Sequence, residues 1–281
     1  MRLITKGRIN ERHFIRALSL LELFVIDDPR YCRQVLRPIP TGQRKALARF
    51  CRKEMTSFSY SWGGREVVVI QVTRENNFVR RNVSAAAGLL AHELMHTLLR
   101  RRGLDRHIVD CYKRNYFSNF HLLSRLDFPR ERLERLFREV GDEALLALKD
   151  IYANSEVLAL GLGDHLLEYY YKRLGTMTYC PMPVFYERRT LLRKATFAAM
   201  LAALKFKISL LPIHVPFQRY GHPHAHRLIR HMERCYERNI REITSEFHDV
   251  EQLILDDFSP SCAFHKKYFD LVFMKVYKLL I

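Results

Sequence analysis

Glycine and proline are scarce in this chain: 11 glycines and 10 prolines occur in 281 residues. Their scarcity excludes collagen-like and low-complexity sequences, and an aromatic content of 12% excludes global disorder. The six cysteines include no Cys-x-x-Cys pair. We therefore expect neither a zinc ribbon nor a secreted disulfide framework, but reduced thiols in a cytoplasmic protein. The N-terminus also lacks the apolar segment of a secretory signal.

The sequence has no uninterrupted apolar run of the roughly 18–20 residues that a membrane span requires. The longest candidate covers residues 195–212, and Lys205 and Lys207 interrupt it. We therefore predict a buried helix there and no membrane span. Prolines within residues 212–223 are expected to end this helix, because an interior proline removes a backbone hydrogen bond.

Acidic residues are few relative to basic ones: 30 Asp and Glu against 47 Lys and Arg give a net charge of +17. The excess is uneven, since residues 1–65 carry +9 and residues 161–223 carry +6, whereas residues 66–160 carry only +2. Basic segments attract polyanions, which makes nucleic acid a candidate partner. However, no helix-turn-helix, zinc-finger or RNP motif supports that interpretation.

Local patterns predict a mainly helical chain with one good strand. Residues 66–72 (EVVVIQV) are short, β-branched and uncharged after Glu66, as is typical of a strand. The predicted helix over residues 85–102 has Ser84 as its N-cap and Gly103 after its end. Further helices are predicted over residues 12–26, from Phe128-Pro129 onward, over 142–160, over 224–255 and in the C-terminal segment 268–281.

These elements suggest three segments. Residues 1–60 form a basic segment of short helices, residues 61–160 form a core, and residues 161–281 form a helical region packed on that core. The core contains the motif that carries the predicted chemistry.

The predicted helix over residues 85–102 contains His92-Glu93-Leu94-Met95-His96, an HExxH motif. Residues four apart lie on one helix face, so the two imidazoles can bind one metal ion. Glu93 lies beside that face and can reach a water without itself being a ligand. In a chain of this composition the motif should arise by chance only about 0.04 times. Its neighbours are almost all apolar, which predicts burial nearly all round the helix.

A metal ion needs a third protein ligand, and several residues are candidates. Asp150 lies on a later predicted helix, 54 residues after His96, and that helix can fold back toward the motif. Asn154, one turn after Asp150, can accept a hydrogen bond from a ligand histidine and fix its ring. The alternatives for the third ligand are Glu156 and Glu143 on the same stretch and His107 beyond Gly103.

The motif and the segment Asp150-Ile151-Tyr152-Ala153-Asn154 resemble the HExxH zinc metallopeptidases, the zincins, and within them the gluzincin-like branch. The segment looks like a DxxAN variant of the ExxAD pattern that supplies the third ligand in that branch. The resemblance implies zinc ligands at His92, His96 and Asp150, a general base at Glu93 and a supporting role for Asn154. The metzincin extension is absent, because Arg102 stands where its third histidine would be.

The resemblance further implies that the strand over residues 66–72 forms the edge of the cleft and pairs with an extended peptide. An internal strand without substrate contact is the alternative. It also implies a side chain that stabilises the tetrahedral intermediate, for which Tyr152, His165 and Tyr169 are candidates.

The sequence thus predicts a helix-dominated α+β fold: a zincin-like core, made of a small sheet and the HExxH helix, wrapped by additional helices. The predicted function is zinc-dependent (Zn2+) hydrolysis of a peptide or protein substrate, with Glu93 taking a proton from the attacking water. Two alternatives stay open: a nucleic-acid-binding protein that uses residues 1–65 and 161–223, and an inactive zinc-binding pseudo-peptidase.

Overall fold

The computed structural model describes residues 4–5, 21–26, 57–62, 65–71, 76–123, 130–176, 191–236 and 239–280. The strands within these ranges are β1 (Ile4–Thr5), β2 (Leu21–Ile26), β3 (Ser57–Trp62) and β4 (Arg65–Gln71). A 3-10 helix over Asn77–Arg80 precedes the helices, which are α1 (Val83–Arg101), α2 (Leu104–Leu123), α3 (Arg130–Ala159), α4 (Gly163–Leu174), α5 (Leu191–Arg219), α6 (Ala225–Tyr236), α7 (Asn239–Asp257) and α8 (Cys262–Leu280).

The chain divides into two compact units. The first unit comprises Met1–Arg101 and Glu156–Met177, and therefore contains the strands, α1 and α4. The second comprises Arg102–Ser155 and Thr178–Ile281, and contains α2, most of α3 and helices α5 to α8.

The four strands of the first unit form one sheet in the order β1-β2-β4-β3. β4 pairs in parallel with β2, with Val68 opposite Leu23. Its other side pairs antiparallel with β3, with Trp62 opposite Arg65. Only two residues separate β3 from β4 along the chain. The sequence placed β4 correctly, but both of its edges are occupied, so the prediction that it is the edge of a cleft is wrong.

Helix α1 begins with Asn82, not with the predicted cap Ser84. The Asn82 side-chain oxygen accepts a hydrogen bond from the backbone N–H of Ala85 at 2.9 Å, as an N-cap does. At the other end Gly103 has a φ of 75°, the left-handed conformation expected of the residue that terminates a helix. Arg100, in the last turn, donates to the carbonyl oxygen and the hydroxyl of Ser59 on β3, both at 3.1 Å.

Helix α4 packs directly on α1 in the first unit. The closest approach is at Gly88, where a Cβ atom would lie 2.2 Å from the carbonyl oxygen of His165. Leu166 and Tyr169 on α4 are buried to within 1%, and the Tyr169 ring also meets Phe78 of the 3-10 helix at 6.0 Å between centroids. Apolar residues on several sides of α1 are thus buried, as the sequence predicted.

In the second unit α8 packs against α2, and α5 packs against α6 and α7. The core is rich in aromatic side chains: Phe137 and Phe273 stack at 4.9 Å between ring centroids. The fully buried Tyr268 donates its hydroxyl to the Ala144 carbonyl oxygen at 3.1 Å. Because this unit buries aromatic rings between helices, helix packing stabilises it.

The predicted fold class, an α+β fold with a zincin-like core, is wrong. Eight helices occupy most of the described residues from 83 onward, whereas the strands contribute only 2, 6, 6 and 7 residues. The described architecture is therefore mainly helical, which conflicts with the sheet-containing core of a zincin.

Several predicted element boundaries also change. Residues 21–26, predicted as the end of a helix, form strand β2; the rest of that predicted helix lies outside the described residues. The helices predicted on either side of Gly141 are one continuous helix, α3. The predicted helix over residues 224–255 is instead two helices, α6 and α7. Helix α5 continues through Pro212 and Pro216, where the sequence predicted breaks.

None of the described helices has both the length and the apolar character needed to cross a lipid bilayer. Helix α5, which contains the longest apolar stretch of the sequence, includes the buried Lys207.

Candidate metal centre

The two histidines of the HExxH motif converge on one point beside helix α1. Their Nε2 atoms lie 3.1 Å apart, and their rings meet edge to face with centroids 4.6 Å apart. This follows from the helical spacing of four residues, which stacks the two side chains on one face. Two nitrogen ligands of a tetrahedral zinc ion, each at about 2.0–2.1 Å from the metal, would lie about 3.3 Å apart.

Glu93 follows His92 on the same buried helix and is itself only 5% exposed, while His92 is 7% exposed. A carboxylate next to two imidazoles along the helix is suited to accept a proton from a water molecule.

His92 and His96 belong to the first unit, and Asp150 belongs to the second. Two imidazole nitrogens and one carboxylate oxygen are donors that suit zinc.

Two of the other candidates for the third ligand, Glu143 and Glu156, lie on α3 and are partly exposed. The third, His107, forms a group with Cys111 and Cys262 in the second unit, in which the possible ligand atoms all lie within 4.8 Å of one another. Asn154 is fully buried, and its Nδ2 donates to the backbone carbonyl of Pro212 at 2.7 Å.

The candidates for stabilising a tetrahedral intermediate have other hydrogen-bond partners. The Tyr152 hydroxyl donates to the Ser259 carbonyl at 2.5 Å and lies 2.9 Å from His265 Nε2. Burial raises the pKa of that hydroxyl, so it stays protonated. His165 is exposed, and its Nδ1 is 2.8 Å from the Ser84 hydroxyl. Tyr169 accepts a hydrogen bond from Arg173 at 3.1 Å.

The group of His107, Cys111 and Cys262 was missed by the sequence analysis, which expected reduced, unconnected cysteines. Cys111 and Cys262 are joined as a disulfide between α2 and α8, with their Cα atoms 6.0 Å apart. They are 151 residues apart in sequence, so no short Cys-x-x-Cys spacing reveals them. A usable signal does exist in each helix, since His107 precedes Cys111 by four residues and His265 follows Cys262 by three.

His265, beside this group, is fully buried. Burial, together with the neighbouring His107, lowers its pKa to about 4. Its ring is therefore neutral at neutral pH and carries one N–H and one free nitrogen lone pair.

Comparison with protein-family models, with curated proteins and with solved structures gave no match for this chain. The candidate chemistry therefore depends on the residues and the geometry described above.

Proposed function

We propose that this chain is a zinc-dependent metallopeptidase, with His92, His96 and Asp150 as the metal ligands and Glu93 as the general base. The observation that carries the proposal is the convergence of the two Nε2 atoms, 3.1 Å apart, immediately beside a buried carboxylate. The resemblance of the HExxH motif and the DxxAN segment to zinc metallopeptidases supports the same chemistry.

The donor set fits zinc rather than a harder cation. Two imidazoles and one carboxylate are the protein ligands found at catalytic zinc sites, whereas calcium and magnesium prefer oxygen ligands alone. Three protein ligands leave a fourth coordination position for water or substrate. When bound, zinc would supply a Lewis acid that polarises the scissile carbonyl and makes a water more acidic.

In this proposal His92 and His96 would hold the ion through their ring nitrogens, and Asp150 would contribute a negative charge that offsets part of the charge of the ion. Glu93 would accept a proton from the attacking water and deliver it to the nitrogen of the leaving amine. Because Glu93 is next to His92 in the sequence and is buried, its carboxylate would lie close to that water without being a ligand.

This proposal does not depend on a zincin-like fold. The HExxH chemistry requires two histidines and a glutamate on one helix and a third ligand from elsewhere, and a helical protein can provide both. Function resides in the site rather than in the fold that holds it. The peptide substrate must be held by something other than β4, since both sides of that strand are paired.

The test is Glu93→Gln in the full chain, with the Cys111–Cys262 disulfide kept oxidised. Zinc content is measured by elemental analysis, and hydrolysis is measured with a library of quenched fluorescent peptides. We expect one zinc per chain in the wild type and in Glu93→Gln, and a loss of hydrolysis in the variant of about 10²–10⁴-fold. His92→Ala and His96→Ala should lose the zinc, while His226→Ala, an exposed histidine on α6, should keep it.

Two outcomes would overturn the proposal. If His92→Ala retains the zinc of the wild type, the ligand assignment is wrong. If the wild-type protein holds zinc but hydrolyses no peptide in the library, the site belongs to an inactive zinc-binding protein and the proposed activity is wrong.

A further inference from the structure

Helices α2 and α8 of the second unit bring together His107, Cys111 and Cys262, whose possible ligand atoms all lie within 4.8 Å of one another, and His265 lies beside this group. His107 and Cys111 lie four residues apart on α2, and Cys262 and His265 lie three residues apart on α8. Each spacing places its pair on one helix face. The two helices pack against each other, and the two cysteine sulfurs are bonded.

His107 points its Nε2 atom at both sulfurs. It lies 3.9 Å from Cys111 Sγ and 3.7 Å from Cys262 Sγ. Two sulfur ligands of one zinc ion, each about 2.3 Å from the metal, lie about 3.8 Å apart, and a sulfur and a nitrogen ligand lie only slightly closer. The distances from His107 to the two sulfurs are therefore those of donors that share one ion.

His265 has a nitrogen without a partner. Among the buried side-chain atoms of the described residues, its Nδ1 is one of two that make no hydrogen bond; the other is Ser155 Oγ. The residue is 0% exposed, and its ring lies 5.4 Å from the His107 ring, between centroids. A buried imidazole nitrogen without a partner is costly to the folded state.

The surroundings of His265 fix which nitrogen carries the proton. The Tyr152 hydroxyl has one hydrogen, and it donates that hydrogen to the Ser259 carbonyl oxygen. The contact of 2.9 Å between Tyr152 Oη and His265 Nε2 is therefore a hydrogen bond that the Nε2–H donates. The lone pair then lies on Nδ1, the unpartnered atom. Histidine ligands of metal ions are commonly oriented in this way, through a hydrogen bond from the second ring nitrogen.

Arg114 adds positive charge at the sulfurs. Its Nη2 donates to Cys111 Sγ at 3.4 Å and to Cys262 Sγ at 3.1 Å. A neighbouring guanidinium stabilises thiolates, which are the form of cysteine that binds metal. A disulfide has no charge for this arginine to balance, whereas two thiolates do.

We propose that His107, Cys111, Cys262 and His265 bind one Zn2+ ion when the disulfide is reduced. Two thiolates and two imidazoles are the ligand set of closed, tetrahedral structural zinc sites, with no open coordination position. The ion would join α2 to α8 in place of the disulfide. This site is independent of the proposed peptidase centre, since the two share no residue.

The disulfide must be reduced before zinc can bind to the two cysteines. A trialkylphosphine and one water reduce the disulfide to two thiols, and the phosphine leaves as its oxide. Zn2+ then displaces the two thiol protons, which go to the solvent, as the two Zn–S bonds form. The sulfurs must separate to about 3.8 Å around the ion, which rotation about the Cα–Cβ bonds allows while the Cα atoms stay near their separation of 6.0 Å.

The experiment measures metal stoichiometry in the full chain, prepared with and without a trialkylphosphine in the absence of oxygen. The probe is Zn2+ itself, removed from excess by gel filtration and measured by elemental analysis. We expect two zinc ions per chain in the reduced protein and one in the oxidised protein. In the reduced state Cys111→Ser/Cys262→Ser should hold one ion, and His92→Ala/His96→Ala should also hold one.

A second measurement detects sulfur ligands in the wild-type protein itself. Co2+ replaces zinc in the reduced wild type, and a thiolate-to-cobalt charge-transfer band in the near ultraviolet reports cysteine ligands. The band should persist in His92→Ala/His96→Ala, because the peptidase centre contains no sulfur. It should weaken and shift in His265→Ala, and His248→Ala, which changes an exposed histidine on α7, should leave it unchanged.

The two proposals fail separately. A reduced wild type that binds no ion beyond that of the oxidised protein, or that shows no sulfur-to-cobalt band, overturns this inference and leaves the peptidase centre untouched. A band identical in wild type and His265→Ala overturns the four-ligand assignment. Conversely, loss of a zinc ion only in the cysteine variant would overturn the peptidase centre and support the site described here.

Discussion

Gly88 on α1 faces the backbone of His165 on α4 so closely that no side chain fits between them. A Cβ built on Gly88 would lie 2.2 Å from the His165 carbonyl oxygen and 2.8 Å from the Leu166 nitrogen. Both atoms belong to the backbone and cannot rotate aside. Because position 88, one turn before His92, has no side chain, α4 can pack closely against the motif helix α1.

Gly88→Ala should destabilise the protein although alanine favours helices. The helix-propensity gain is about 1 kcal/mol, but separating two packed helices costs about 1–3 kcal/mol, and a clash with backbone belongs at the upper end. We expect a net loss of about 2 kcal/mol in the free energy of unfolding, measured by urea denaturation.

Gly175→Ala is the matched control for that substitution. Gly175 has a φ of −68°, which alanine adopts, and its nearest neighbour to an added Cβ is at 3.6 Å. We expect it to be neutral or to stabilise by up to about 1 kcal/mol. Equal effects of the two substitutions would show that the approach of α1 to α4 is not what requires Gly88.

The effect of substituting Asn82 on stability should reflect the two hydrogen bonds that its side chain makes. Its Oδ1 caps α1 at the Ala85 N–H, and its Nδ2 donates to Glu168 Oε1 at 2.6 Å. Asn82→Ala should cost about 1 kcal/mol, and Asn82→Ser should cost less because serine also caps. Asn82→Asp keeps the cap but places a carboxylate against Glu168.

The variant Asn82→Asp tests whether the hydrogen bond between Asn82 and Glu168 matters in addition to the N-cap. Asparagine and aspartate are nearly equal at most N-caps, whereas here we expect Asn82→Asp to be at least as destabilising as Asn82→Ala at neutral pH. Adding Glu168→Gln should recover stability, because the new amide donates to the aspartate. Thermal unfolding of the single and double variants measures both effects, and an Asn82→Asp protein as stable as wild type would contradict the prediction.

Asp150→Asn should lower the zinc content of the oxidised protein, because it replaces a charged ligand with a weak neutral one. The matched controls are Glu156→Gln and Glu143→Gln, which remove the same charge from the same helix. Both should retain one zinc per chain by elemental analysis. If either control loses zinc while Asp150→Asn retains it, the third ligand has been assigned to the wrong residue.

Asn154→Asp, the change that would give the ExxAD-like aspartate, should be strongly destabilising. The Asn154 amide is a donor to the Pro212 carbonyl at 2.7 Å and is fully buried. An aspartate cannot donate to that carbonyl and would place a buried charge against it, for which we expect a loss of about 3–5 kcal/mol. Asn154→Ala removes this donor without adding a charge and should cost about 1–3 kcal/mol. A variant Asn154→Asp no less stable than Asn154→Ala would contradict this reasoning.

The sequence predicted the parts of the site that depend on local geometry. The spacing of His92 and His96 sufficed to place their nitrogens together, because four residues of helix fix that relationship. The helix was also bounded to within two residues at its start, and Gly103 was assigned correctly. The cap was missed because Asn82 and Ser84 are both good capping residues, and only the position of Glu168, 86 residues away, distinguishes them.

Features that depend on distant contacts were predicted wrongly. The helix from Phe128-Pro129 and the helix over residues 142–160 were predicted as separate elements, but Gly141 lies within the continuous helix α3, and a Cβ there would lie 2.4 Å from the Tyr112 hydroxyl. The run Leu21–Ile26 was read as helical, and its pairing with β4 makes it a strand. The bond between Cys111 and Cys262 spans 151 residues. In each case the structure depends on a contact with a residue far away in the sequence, and local sequence patterns do not reveal such contacts.

Because α5 continues through two prolines, substitutions at positions 216 and 154 should be linked during evolution. Pro216 has no N–H, so it cannot bond to the carbonyl of Pro212 four residues earlier, and the Asn154 amide donates to that carbonyl instead. A lineage that replaces Pro216 regains a backbone donor and no longer needs asparagine at position 154. The two positions should therefore change together among relatives, and persistence of Asn154 would record its bond to a proline-interrupted helix as much as any role beside a metal ion.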